Sequence, residues 1–216
     1  MSAQAAAGGQ LADCRRPFQD MDADGLRFDV MDRPRAERYR GNESYAMISI
    51  GDPWQAIPDF LDDPNRVAVA RLTFFDISTK SPGLQTCGAQ EAQTLLDFFH
   101  EMSPMVRLFA IHCEAGISRS WGVAVGLSLI AGDAQRYIGG GHPNPLVVHS
   151  ILREHERRTG EFIPMPAVIR LQPYCPEHLE AMFDQRVTDD GLRDFCLLCD
   201  KPAVMRERDI FAGWAP

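Results

Sequence analysis

Three short runs of almost unbroken apolar residues constrain this chain more than any other feature. They are residues 46–50 (Ala46-Met47-Ile48-Ser49-Ile50), 67–75 (ending Leu72-Thr73-Phe74-Phe75) and 107–112 (Arg107-Leu108-Phe109-Ala110-Ile111-His112). Runs this short, apolar on both faces of the pleat, suit strands buried on both sides, as in a parallel sheet. Parallel neighbours need long crossovers, and helical patterns stand where the crossovers would run. Residues 89–102 place Ala92, Leu95, Leu96, Phe98 and Phe99 at helical spacing, with Pro104 beyond the end. Residues 119–131 read as a second helix, whose small Gly122, Ala124 and Gly126 predict close packing against a sheet. Asn144-Pro145 opens a third helix over 146–158, with Asn at the cap and Pro in the first turn. The pattern predicts an α/β fold: a central, mostly parallel sheet flanked by helices.

At 216 residues the chain accommodates one domain with an appendage. A unit of this size buries enough apolar surface to need no disulfide scaffold. Residues 1–40 are polar and rich in Arg and Asp, and are expected to be a flexible segment. A main domain is expected over 41–165, ending near Pro164 and Pro166, with a small module over 170–216. The balance of 22 basic against 30 acidic residues, net −8, argues against a broad grip on nucleic acid or an anionic membrane. Any anion must be held locally. The longest near-apolar run, 122–132, falls far short of the ~20 residues that cross a bilayer. Residues 1–9 lack the basic start and apolar core of a secretory signal, so a reducing cytoplasm is the expected setting. Cysteines there are more often catalytic, metal-bound or buried than paired.

The segment His112-Cys113-Glu114-Ala115-Gly116-Ile117-Ser118-Arg119-Ser120 joins an apolar strand to a helix through small residues. Such a loop can turn its amides inward, and the helix N-terminus adds partial positive charge, so the two cradle a tetrahedral anion. A cysteine at its base has its thiolate stabilised by the same dipoles. An arginine six residues on, in the first turn of the helix, can fork two phosphate oxygens.

This stretch resembles the signature loop of the protein tyrosine phosphatase superfamily, His-Cys-x5-Arg followed by Ser or Thr, and is most similar to the dual-specificity branch. Residues 45–160 look like small bacterial or phage-type members. The resemblance implies that Cys113 attacks phosphorus and forms a phosphocysteine. Arg119 and the amides of Glu114, Ala115, Gly116, Ile117 and Ser118 would hold the phosphate oxygens. Ser120 would ease departure of the sulfur, and His112 would orient the loop. The family also supplies an Asp as general acid from an upstream loop, for which Asp76, after the second apolar run, is the best match. Asp97, on a predicted helix, and the more distant Asp59, Asp62 and Asp63 are alternatives. The loop adds no Lys or Arg beyond Arg119, which favours a phosphomonoester with a single phosphate, on tyrosine or on serine/threonine.

Towards the C-terminus, Cys175-Pro176-Glu177-His178 and Cys196-Leu197-Leu198-Cys199 form two pairs of candidate ligands separated by seventeen residues. Pairs so spaced match a closed tetrahedral zinc site, structural in role and able to present a partner-binding surface. Between them, residues 178–185 read as a short helix and Asp189-Asp190-Gly191 as a turn. The expected function is a phosphocysteine-forming phosphomonoester hydrolase that needs no cofactor for catalysis and acts on a phosphorylated protein or small phosphomonoester. The alternative is a phosphate-binding pseudo-phosphatase that docks a partner through its C-terminal module.

Overall fold

The computed structural model describes residues 25–78, 83–132, 141–165, 169–174, 183–188, 191–196, 199, 201–202 and 204–209. The chain divides into two units, Met1–Pro164 and Met165–Pro216.

In the first unit the three apolar runs are strands: β2 (Tyr45–Gly51), β3 (Arg66–Thr73) and β4 (Leu108–His112). A fourth strand, β1 (Arg27–Met31), joins them in the order β1-β4-β2-β3, and every pair is parallel. The two inner strands carry the least polar sequences, and every residue of β4 and all of β2 up to Ile50 is buried. Ile48 sits opposite Ile111 on one side and Ala70 on the other, which puts the core at the middle of the sheet.

The N-terminal part departs from expectation. The sequence predicts a flexible segment over 1–40, yet within the described residues of that segment β1 pairs with β4 from Arg27↔Leu108 to Met31↔His112. A short helix, α1 (Arg33–Glu37), follows at once, with the Asp32 side chain accepting from Arg35 N at its start. The folded unit therefore includes residues well before 41. The reason is physical: β1 is an edge strand with polar Arg27 and Asp29 interleaved among its apolar residues, so it lacks the continuous apolar signature of a central strand.

Helix α2 (Ala89–Met102) buries Ala92, Leu95, Leu96, Phe99 and Met102. Helix α3 (Arg119–Ile130) is buried along almost its whole length. Its glycines face a helix rather than the sheet. A Cβ on Gly122 would lie 2.9 Å from Val147 Cβ, and one on Gly126 would lie 2.8 Å from Ile151 Cδ1. Both partners belong to α4 (Pro145–Thr159), so the small residues let two helices approach closely. Asn144 caps α4, and Gly160 ends it in the left-handed region at φ 75°. Among the described residues no helix is long and apolar enough to cross a membrane.

The second unit contains two antiparallel ribbons. Strand β5 (Ile169–Tyr174) pairs with β8 (Val204–Asp209), and β6 (Phe183–Thr188) pairs with β7 (Gly191–Cys196). The expected helix over 178–185 is therefore corrected at its end, since Phe183 and Gln185 are strand residues opposite Cys196 and Asp194. Three apolar residues in so short a run do not distinguish helix from strand, and the cross-strand partner decides. Thr188 pairs with Gly191, leaving Asp189 and Asp190 between them, the spacing of a tight hairpin.

Candidate active site

The loop between β4 and α3 is shaped by one glycine and one neighbouring segment. Gly116 has φ +67°, and a Cβ there would lie 2.5 Å from Met31 C and 2.6 Å from Asp32 N. The loop thus rests its backbone on the junction of β1 and α1, which only glycine permits. Arg33 N donates to Glu114 O (3.1 Å), and Gln55 Nε2 donates to Glu114 Oε2 (3.1 Å). These contacts tie the loop's outer side to its neighbours. Among the described residues no acceptor meets the amides of Glu114, Ala115, Gly116, Ile117 or Ser118. A run of unpaired amides beside a helix N-terminus is a binding surface for an anion.

Cys113 stands at the base of this loop, 2% exposed. Its Sγ lies 3.2 Å from Ser120 Oγ, on the first turn of α3. His112 is buried behind it: Nε2 is 2.8 Å from Ser49 Oγ, and Nδ1 is 3.4 Å from Cys113 O. Burial pushes the His112 pKa down, so the ring is held neutral. A neutral imidazole between a hydroxyl and a carbonyl accepts from the first and donates to the second.

Arg119 shows which edge of its guanidinium is available. The residue is 3% exposed. Its Nη1 donates to Asp52 Oδ1 (2.8 Å) and to Phe74 O (2.9 Å), which uses both hydrogens of that nitrogen. Buried Nε has no hydrogen-bond partner among the described residues, and Asp76 Oδ2 is 3.9 Å away. A buried donor left unpaired costs about 1–3 kcal/mol, so this edge is built for an acceptor from outside the protein. Asp52, in the Gly51-Asp52-Pro53 turn after β2, was not among the expected site residues. The turn is legible in the sequence, but its approach to Arg119 is not.

Asp76 is brought to the same place from beyond β3. Its Oδ1 accepts from Ser118 Oγ (2.7 Å) and Asn144 Nδ2 (2.8 Å). The alternatives lie elsewhere. Asp97 pairs with Arg158 (2.7 Å), Asp59 and Asp62 are exposed, and Asp63 is bound by Gly41 N and the Tyr45 hydroxyl. Burial alone would raise the Asp63 pKa, but its hydrogen bonds outweigh this and hold its carboxyl below the usual range.

Two aromatic residues neighbour these groups in sequence and meet each other in the fold. Trp54, two residues after Asp52, is 73% exposed and lies 4.6 Å, ring centre to ring centre, from Phe75, which precedes Asp76. Of the expected metal ligands, Cys175 and His178 lie outside the described residues. Cys196 is the last residue of β7, and Cys199 follows three positions later. Among the described residues no group of three or more His, Cys, Asp and Glu is placed to hold a metal ion.

No model of a known protein family matches the chain, and no curated protein matches it. Solved structures do, and they are of the protein tyrosine and dual-specificity phosphatase kind. Tk-PTP in the active form is 14% identical, with 60% of this chain and 90% of that chain covered and a TM-score of 0.41. Human DUSP28 is 14% identical, with 62% and 95% covered and a TM-score of 0.42. The human tyrosine phosphatase-like serine/threonine/tyrosine-interacting protein is 19% identical, with 53% and 77% covered and a TM-score of 0.36.

Proposed function

We propose that the chain is a phosphocysteine-forming phosphomonoester hydrolase, with aryl phosphates such as phosphotyrosine in proteins as its preferred substrates. The observation that carries this is the state of Arg119: one nitrogen is saturated by Asp52 and Phe74, and the buried Nε has no hydrogen-bond partner among the described residues, at the end of a loop of unpaired amides that starts from Cys113.

In the first step Cys113 Sγ, as thiolate, attacks phosphorus while the bond to the leaving oxygen breaks. Asp76 gives that oxygen a proton. The Nε and Nη2 edge of Arg119 and the amides of residues 114–118 take the charge spread over the remaining oxygens. In the second step Asp76 accepts a proton from water, the water oxygen bonds to phosphorus, and the sulfur leaves as thiolate. The Ser120 hydroxyl, 3.2 Å from the sulfur, stabilises the departing charge by a hydrogen bond. His112 keeps the loop carbonyl in place and transfers no proton. The Trp54–Phe75 pair beside Asp52 and Asp76 offers an aromatic surface to a substrate ring, which favours aryl over alkyl esters.

The test is Cys113→Ser. That protein should lose hydrolysis of p-nitrophenyl phosphate and still bind phosphate or vanadate. A wild-type protein that binds vanadate but turns over nothing between about pH 5 and 7 would instead be a phosphate-binding module.

We also propose Cys175, His178, Cys196 and Cys199 as the ligands of a structural Zn²⁺. Register supports it: Tyr174 pairs with Val204, and Phe183 with Cys196. The segment from β5 to β6 and the segment from β7 to β8 therefore link the same ends of the two ribbons, and in sequence these segments carry Cys175, His178 and Cys199, with Cys196 at the end of β7. Three thiolates and one imidazole are an ordinary set of ligands for structural zinc. Such a closed site would add no catalytic step, and the unit would be free to present a surface to a partner protein. A reducing, cytoplasmic setting suits these thiols and the nucleophile alike. Metal content measured by mass spectrometry decides it: one zinc per chain is expected, and near-zero zinc after purification in reducing buffer would remove the site.

A further inference from the structure

We infer that Asn144 is a positioning residue for Asp76, holding Oδ1 so that the transferable proton resides on Oδ2. This rests on the reading of Asp76 as the general acid and adds to it which oxygen acts and what enforces the choice.

The orientation of the Asn144 amide is not free. Its Oδ1 accepts from Leu146 N (3.0 Å) and Val147 N (3.3 Å), capping α4, so the nitrogen end must face the other way. That end donates to Asp76 Oδ1 (2.8 Å) and Ile77 O (3.2 Å). The segment is also pinned to the phosphate loop, since His142 N donates to Ile117 O (2.9 Å) and Asn144 N to Ser118 O (3.2 Å). Ser118 can turn its hydroxyl to donate or accept, but an amide nitrogen can only donate. A proton on Asp76 Oδ1 would therefore face an N–H that the helix cap holds in place. Among the described residues no donor lies within hydrogen-bond distance of Oδ2, which is the oxygen on the Arg119 side, 3.9 Å from Nε. Asp76 Oδ2–H then gives its proton to the leaving oxygen as the S–P bond forms and the P–O bond breaks. The same oxygen takes a proton from water in the second step.

Asn144→Asp and Asn144→Ser separate positioning from capping. Both residues cap helices as well as Asn does, so the start of α4 is kept and the melting temperature falls only by what the lost bonds to Asp76 and Ile77 contribute. Aspartate, however, sets a carboxylate against Asp76, and serine is too short to reach it while capping. The readout is leaving-group dependence, because p-nitrophenolate departs with little help and phenolate needs a proton. Positioned acid catalysis contributes about 10²–10⁴ in rate, so kcat/KM, which reports the leaving-group step alone, should fall at least about tenfold more for phenyl phosphate than for p-nitrophenyl phosphate in both variants. Asp76→Ala serves as reference and should show the same signature more strongly. If Asp76→Ala shows it and the Asn144 variants lose both esters equally, or neither, the positioning role is overturned and the acid stands. If Asp76→Ala lacks it, the acid assignment falls and this inference with it. Wild type inert to both esters removes the phosphatase reading itself.

Discussion

Asp52 Oδ1 lies 2.8 Å from Arg119 Nη1, joining the turn after β2 to the first residue of α3 across sixty-seven positions of sequence. The bond decides how the guanidinium presents itself, since it leaves the Nε and Nη2 edge for a ligand. Removing the carboxylate frees the arginine to rotate and strips a buried charge of its partner. Asp52→Ala should lower kcat/KM for aryl phosphates by about a hundredfold, and Asp52→Asn, which keeps one acceptor, by about tenfold. Steady-state kinetics would check this, and near-wild-type Asp52→Ala would show that the fork is oriented by something else.

Trp54, two residues after Asp52, is exposed and packs at a tilt against Phe75, which precedes Asp76. An aromatic contact of this kind is worth about 0.5–1.5 kcal/mol, so Trp54→Ala should raise KM for a phosphotyrosine peptide about three- to tenfold. The ratio of its kcat/KM to that of the matching phosphoserine peptide should fall by the same factor. An unchanged ratio would leave the aryl preference without its surface.

Gly116 combines φ +67° with backbone 2.5 Å from where a Cβ would stand. Strain of this kind costs about 1–3 kcal/mol, and the clash adds to it. Gly116→Ala should lower the melting temperature and abolish vanadate binding, because the loop must lift off the β1–α1 junction. Thermal unfolding with and without vanadate measures both, and a variant that still binds normally would mean that the junction does not shape the loop.

Glu154 is buried on α4 and accepts from Arg157 (2.7 Å) and Arg158 (2.7 Å). Hydrogen bonds from Arg157 lead the causes that lower its pKa from 4.5 to about 2, against the opposing effect of burial. The folded value is depressed, so the stabilisation is complete above pH 4.5 and drains away as pH falls towards 2. It is on the order of 3 kcal/mol. Glu154→Gln should be less stable at neutral pH and lose less on acidification, as urea unfolding at pH 7 and at about pH 3 would reveal. Parallel loss in both proteins would contradict it.

Much of the fold was legible because its inner strands are apolar on both faces. Residues 46–50 and 107–112 announce β2 and β4 by composition alone, and Asn144-Pro145 announces α4 by its cap chemistry. Strand β1 and helix α1 were not legible, since an edge strand with Arg27 and Asp29 in it looks like polar loop until β4 is beside it. In the site, the local motif named Cys113, Arg119 and Ser120, and Asp76 followed from the resemblance. Asp52 and Trp54 carried no local signal, and Asn144 was legible as a cap but not as a partner of Asp76.

The sequence by itself determined the alternation of strand and helix and a nine-residue strand-loop-helix motif from His112 to Ser120, because both depend on neighbours within a few positions. It also determined that any anion would be gripped locally, given a net charge of −8. Tertiary structure alone decided which carboxylates meet Arg119 and which edge of it remains open. It also decided which glycine must carry no side chain. The physical reason is that a parallel sheet brings the C-terminal ends of β2, β3 and β4 together. Residues from distant turns meet there, at contacts that depend on strand order and register rather than on spacing along the chain.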